Sequence, residues 1–217
     1  MNNITSVEIK GLSHSICGDA RKTEIGELLI NGAADIGVLT GLINDLAHQQ
    51  AVQELDCNGC SLDLPEIGSE MDGDIVGAHV IQDGVVYVLL VAPPGAEREL
   101  AWADGNEDVH TSISDGHTNT YLLSQLHKVG DSHPAAEHCA KYKELGEYYL
   151  PSQLELAQII ANKDAVSRAG LKGWYWTSTQ ISTSAARNMN ASSGSWGYFH
   201  KTYEIAVRPI RRIKLAV

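Results

Sequence analysis

Basic residues are scarce in this chain. Lys and Arg number 16 against 27 Asp and Glu, a formal net charge of −11. Nucleic-acid binding needs basic patches that displace counterions from phosphates, so this balance argues against a nucleic-acid partner. The one basic cluster, Arg208, Arg211, Arg212 and Lys214, reads as a solvated strand edge. Long apolar runs are missing too. None approaches the roughly 20 residues that span a bilayer, so no membrane insertion is expected. The opening Met-Asn-Asn-Ile-Thr-Ser-Val-Glu lacks the basic stretch and apolar core of a secretory signal. Four cysteines are too few to staple 217 residues. These absences predict synthesis in a reducing cytoplasm. The length of 217 residues suffices for one domain with a good core, or one domain plus a small appendage. The hydrophobic share of 43% is ordinary for a globular protein.

Catalytic signatures are absent as well. No phosphate-binding loop and no G-x-G-x-x-G turn occurs. No G-x-S-x-G elbow occurs either, since Ser195 lies in Ser193-Gly194-Ser195-Trp196-Gly197. Three residues separate His133 from Glu137, where an H-x-x-E-H zinc helix needs two. The expectation is a protein that is not an enzyme, with no catalytic residues and no cofactor.

Two metal patterns invite comparison. His14-x-x-Cys17 and Cys57-x-x-Cys60 form two pairs with zinc-knuckle spacing. The plainer reading has Cys57 and Cys60 flanking an Asn-Gly turn and His14 on the surface, so no metal is expected. Asp104-Gly105-Asn106-Glu107-Asp108 begins like an EF-hand loop. Val109 stands where that loop needs glycine, and the bidentate glutamate is missing. A solvated acidic loop is the better reading.

Along the chain, residues 4–10 alternate apolar and polar, as a short strand does. Residues 24–55 carry a helical period. Leu29, Ile36 and Ile43 recur by sevens, and Ile25, Leu39 and Leu46 share a second such series, the pattern of a heptad seam. Gly26, Gly32, Gly37 and Gly41 weaken it, at about 1 kcal/mol each relative to Ala. One reading is one or two amphipathic helices packed on their own domain. The other is a helix that docks or self-associates, giving a homo-oligomer. Residues 56–74 are loop-like and set the boundary between residues 1–62, expected to be mainly helical, and residues 63–217.

Gln82-Asp83-Gly84 between two apolar runs predicts a hairpin. The second run, Val85 to Val91, is apolar on both faces and belongs in the core. Pro134 suits a first helical turn. Ser152 followed by Glu155 predicts a capping box. Helices framed by strands at both ends make an α+β layout.

Several motifs recur together in residues 72–213. They are the Asp83-Gly84 hairpin running to Val91-Ala92-Pro93, Leu100-Ala101-Trp102, Asp115-Gly116 with Asn119-Thr120, and His133-Pro134-Ala135-Ala136 with Cys139. Tyr149-Leu150-Pro151-Ser152, Tyr175-Trp176-Thr177-Ser178-Thr179 and Val207-Arg208-Pro209-Ile210-Arg211 complete the set. In this order they resemble the Lcl C-terminal domain family, a C-type-lectin-like module common in phage tail proteins and related to phage tropism-determinant variable proteins. The resemblance implies a lectin-like domain over 63–217, closed by a strand near 205–213. It implies a virion protein of a tail or tail fibre, assembled in the host cytoplasm. Its partners would be other tail proteins and a bacterial surface receptor, protein or glycan. The rival reading is an architectural tail or capsid decoration protein with no receptor. Calcium-dependent sugar binding is not implied, because neither a Glu-Pro-Asn nor a Gln-Pro-Asp tripeptide occurs.

The segment 180–202 is rich in Ser, Asn and Thr, with Trp196, Tyr198, Phe199 and His200 clustered. Small polar residues with rigid aromatics make up evolved paratopes. The candidate binding residues are Ser182, Thr183, Ser184, Arg187, Asn188, Asn190, Ser192, Ser193, Trp196, Tyr198 and His200. The plain alternative is a hairpin turning at Gly194 with an ordinary polar face. Trp174, Tyr175 and Trp176 are expected to be scaffold.

Overall fold

The computed structural model describes residues 6–17, 20–31, 64–82, 84–126, 132–144 and 146–215. The chain divides into two compact units, Met1–Leu62 and Asp63–Val217.

In the first unit, β1 (Ser6–Cys17) and β2 (Ala20–Asn31) pair antiparallel from Ser6↔Asn31 to Cys17↔Ala20. The helix expected from residue 24 is therefore a strand over residues 24–31. The physical reason is local. Gly18-Asp19 is a two-residue hairpin signal, and Gly26 opposes a helix interior. The rest of the heptad series, including Ile36, Leu39, Ile43 and Leu46, lies outside the described residues.

The second unit contains two sheets with helices between and beyond them. One sheet is built from β3 (Glu70–Met71), β4 (Asp74–Gln82), β5 (Val85–Val91) and β11 (Ile210–Lys214), in the order β11-β5-β4-β3 and all antiparallel. The predicted hairpin closes at Gln82↔Val85. Gly84 adopts φ +75°, a conformation that L side chains resist. The other sheet holds β6 (Arg98–Ala101), β7 (Trp174–Gln180), β8 (Ala185–Asn190), β9 (Trp196–His200) and β10 (Glu204–Val207), in the order β6-β10-β7-β8-β9. Only β10 and β7 run parallel.

Among the described residues, four α-helices complete the unit: α1 (Gly116–Leu126), α2 (Pro134–Lys141), α3 (Gln153–Ala161) and α4 (Lys163–Ala169). Pro134 occupies the first turn of α2. The Ser152 hydroxyl accepts from Glu155 N–H at 3.3 Å, and the Glu155 carboxylate accepts from Ser152 N–H at 2.8 Å. That reciprocal pair is the predicted capping box.

Helices α3 and α4 pack on β4, and α3 also meets β7 and β8. Between the sheets lies one core of Leu89, Val91, Tyr149, Leu156, Ile159, Ile160, Tyr175, Met189 and Ile210. On the other face of the five-stranded sheet, α1 packs on β7 and α2 on β6. A second core there joins Trp102, Leu123, Ala135, Cys139, Leu150, Trp176, Ala186 and Val207. The five-stranded sheet is thus buried on both faces at its centre. Only its margin reaches solvent.

The single closing strand expected near 205–213 is in fact two strands in two sheets. Pro209 supplies no N–H to a ladder, so the chain turns a corner at Arg208-Pro209. Arg208 is not a solvated edge residue, being only 4% exposed. Its guanidinium donates to the Ala92 and Ala169 carbonyls at 2.9 and 3.0 Å and to the Glu97 carboxylate at 2.7 Å. The Tyr175 hydroxyl donates to the same carboxylate oxygen at 2.6 Å. Burial and that bond push the Tyr175 pKa up to about 12. Arg211 donates to the fully buried Asp74 at 2.6 Å, and Arg212 donates to Gln82 at 2.7 Å. Arg208, Arg211 and Arg212 thus cross-link β10 and β11 to the rest of the unit, whereas Lys214 is exposed as expected of a strand edge.

Candidate functional site

The margin of interest is the β8–β9 hairpin. Its register pairs Ala185 with His200, Arg187 with Tyr198, and Met189 with Trp196. Alternation along a strand puts Trp196, Tyr198 and His200 on one face. That face continues the row Tyr175–Met189–Trp196 across β7, β8 and β9. Exposure rises along the row, from 1% at Tyr175 through 6% at Met189 to 40% at Trp196. Tyr198 is 65% exposed. The core therefore ends between β8 and β9, and the aromatics of β9 stand beyond it.

The opposite face of β9 is structural. Phe199 packs edge-on against Trp174, with ring centroids 5.4 Å apart, and near Trp176. Asn188 lies between Trp176 and Gly197 in register and is fully buried. A Cβ on Gly197 would come within 2.6 Å of Asn188 Oδ1 and 2.9 Å of the Trp174 ring. Gly197 is thus the gap that lets Trp174 and Asn188 approach the edge strand.

The eleven sequence candidates divide accordingly. Trp196, Tyr198 and His200 share one exposed face, with the half-buried Arg187 beside Tyr198. Asn188 is excluded from any exposed face by its burial. Asn190 is half-buried and committed to the turn, its side-chain oxygen accepting from Ser192 N–H at 3.0 Å and Ser193 N–H at 3.1 Å. Ser192 and Ser193 are exposed on that turn. Ser182, Thr183 and Ser184 lie on the β7–β8 connection, where the Ser182 hydroxyl accepts from Ala185 N–H at 3.1 Å. They border the opposite end of the hairpin from Ser192 and Ser193. Trp176 and Tyr175 are core, as their motif predicted, whereas Trp174 is half-buried against Phe199.

Tyr203 escaped the sequence reading. It is 58% exposed, and its ring lies 6.0 Å from Phe199 and 6.4 Å from His200. The signal was its nearness to the aromatic cluster, in the turn that follows β9. Together the face offers π surface, one guanidinium, an imidazole bonded to the Thr202 hydroxyl at 2.9 Å, and a rim of hydroxyls. Such groups can stack, hydrogen-bond and pair with charge.

Next to this hairpin a lysine reaches the acidic loop. The Lys201 ammonium donates to Glu107 O at 2.6 Å and to Gln180 Oε1 at 2.7 Å. Gln180 in turn donates to Asp108 at 2.7 Å. Burial lowers the Lys201 pKa, partly offset by Glu107 and Asp108. No group of three or more potential metal ligands occurs among the described residues. Of the zinc pattern, His14 and Cys17 lie on β1, and Cys57 and Cys60 lie outside the described residues. No helix of the described residues is long and apolar enough to cross a membrane.

No protein-family model matches the chain, and no curated protein matches it significantly.

Proposed function

We propose that this protein is a phage virion component of the tail or tail fibre. In this reading its second unit is a C-type-lectin-like domain that binds a host-surface receptor through β9. The observation that carries it is the exposed row Trp196, Tyr198 and His200, mounted on a sheet whose centre is buried on both faces. Exposed aromatics on a rigid edge are suited to be hot spots, because they present large area at low entropic cost. The lectin-like assignment is supported by the run of motifs across residues 72–213. It is also supported by the return of β11 to the hairpin that opens the unit.

The test is retention of the purified full chain on a panel of bacterial cells and on their separated envelope glycans and proteins. Saturable retention that Trp196→Ala weakens supports receptor binding. Absence of retention on every cell, with capture by virion tail proteins instead, overturns it in favour of an architectural role.

A further inference from the structure

Among the described residues of the second unit, the two sheets have four edges. β3 is two residues long. β6 reads Arg-Glu-Leu-Ala and β11 reads Ile-Arg-Arg-Ile-Lys, so both carry charge. Shortness and charge are the devices that stop an edge from pairing with another chain. β9 reads Trp-Gly-Tyr-Phe-His, with no charged side chain of fixed sign and no proline. It is the one edge of the four without such a device.

The parity of its backbone is set at both ends. Asn190 N–H donates to Ser195 O at 2.9 Å, and Lys201 N–H donates to Ser184 O at 2.9 Å. Residues 195, 197, 199 and 201 therefore point their main-chain groups at β8. In an antiparallel ladder the alternate residues point away. The N–H and C=O groups of Trp196 and Tyr198, and the N–H of His200, face outward. The His200 carbonyl already accepts from Tyr203 N–H at 2.9 Å.

We propose that β9 pairs antiparallel with β9 of a second copy of this chain, about a two-fold axis at Tyr198. The strand is complementary to itself in that register. Tyr198 faces its own copy and exchanges both hydrogen bonds, while Trp196 faces the copy's residue 200. Charge selects the same place. Two chains of net charge −11 repel, and β9 adds neither a carboxylate nor, as β11 would on pairing with its own copy, a row of facing like charges. The pairing joins two five-stranded sheets and sets two Trp196–Tyr198–His200 rows on one face. It covers part of the ring area now in solvent. A strand pair this short buries less than the roughly 1,200 Å² of a stable interface. The dimer is therefore reversible and concentration-dependent. The pairing does not depend on the receptor reading.

The experiment is sedimentation of the full chain over a wide concentration range, with amide exchange of β9 followed residue by residue. A dimer should grow with concentration. The Trp196, Tyr198 and His200 amides should gain protection in step with it, while Gly197 and Phe199 are protected throughout. Tyr198→Pro removes an outward N–H and no ladder bond, which an edge strand tolerates. It should weaken the dimer at least about tenfold, the loss expected for a deleted bonded pair. Thermal unfolding should be unchanged. If Tyr198→Pro does not fold, Tyr198→Lys puts two ammonium groups across the axis and should weaken the dimer likewise. Three results would overturn the proposal. They are a monomer at every concentration, association that leaves the three outward amides unchanged, and protection of those amides already in the dilute monomer.

Discussion

The ammonium of Lys201 lies 4.8 Å from the centre of the Trp102 ring. The two residues are also joined through the backbone, since Trp102 N–H donates to Lys201 O at 2.8 Å. One cation thus ties the acidic loop, the end of β6 and the end of β9 together. Lys201→Met keeps the apolar stem and removes the charge. It leaves Glu107 O without this donor, and should cost about 1–3 kcal/mol. Denaturant unfolding measures the loss. Amide exchange should also quicken over residues 104–109, and normal exchange there would refute the tethering role.

Glu155 sets a pH dependence. Its carboxylate accepts from Gly116 N–H, Ser152 N–H and the Tyr149 hydroxyl at 3.0, 2.8 and 2.9 Å. Burial still raises its pKa above the ordinary 4.5, because those bonds only partly offset the lost hydration. The unfolded carboxyl loses its proton near 4.5, and the folded one keeps it to higher pH. The native state binds more protons in that window. The contribution of this group is full below 4.5 and is lost as pH rises through the folded value. Glu155→Gln should flatten the decline in stability over that window while retaining the fold. Glu155→Ala orphans two buried N–H groups and should cost about 3 kcal/mol. Identical pH profiles for wild type and Glu155→Gln would contradict the assignment.

What the sequence reveals follows the range of the interactions involved. The Ser152–Glu155 cap and the turn at Gly84 are settled within four residues, so they are legible. The exposed Trp196–Tyr198–His200 row is legible too, because strand alternation is local. The burial of Asn188 is not. It depends on a glycine on one neighbouring strand and a Trp174 ring from another. Arg208 reads as a surface cation until Glu97, 111 residues away, is placed beside it. Ile25 and Leu29, four apart, read as part of a helical stripe, yet that spacing also occurs by chance in a strand rich in Leu and Ile. The two-residue Gly18-Asp19 link carries the more decisive signal there.

Asn188 carries a stability prediction of unusual sign. Among the described residues, neither atom of its buried carboxamide has a hydrogen-bond partner. Replacing an unsatisfied buried polar group by an apolar one of similar shape removes a desolvation penalty of about 1–3 kcal/mol. Asn188→Leu should therefore unfold at higher denaturant than wild type. Gly197→Ala should do the opposite, by about 1–3 kcal/mol, since its methyl group would press on Asn188 and Trp174. A destabilised Asn188→Leu would mean that the carboxamide is satisfied in solution.

The two tryptophans separate display from scaffold. Trp176 is fully buried, and its indole N–H donates to Leu100 O at 3.0 Å. Trp176→Ala empties a core site and should cost about 3–5 kcal/mol. Trp196 is 40% exposed on the edge strand, so Trp196→Ala should leave thermal unfolding nearly unchanged. If Trp196 fills a partner's pocket, its truncation costs about 2 kcal/mol, which is roughly thirtyfold in affinity. Retention on cells and melting temperature, measured for both variants, give the comparison. A stable Trp196→Ala chain that binds as wild type would move the binding face away from β9. An unfolded one would make Trp196 part of the core, and the gradient of exposure from Tyr175 to Trp196 argues against that.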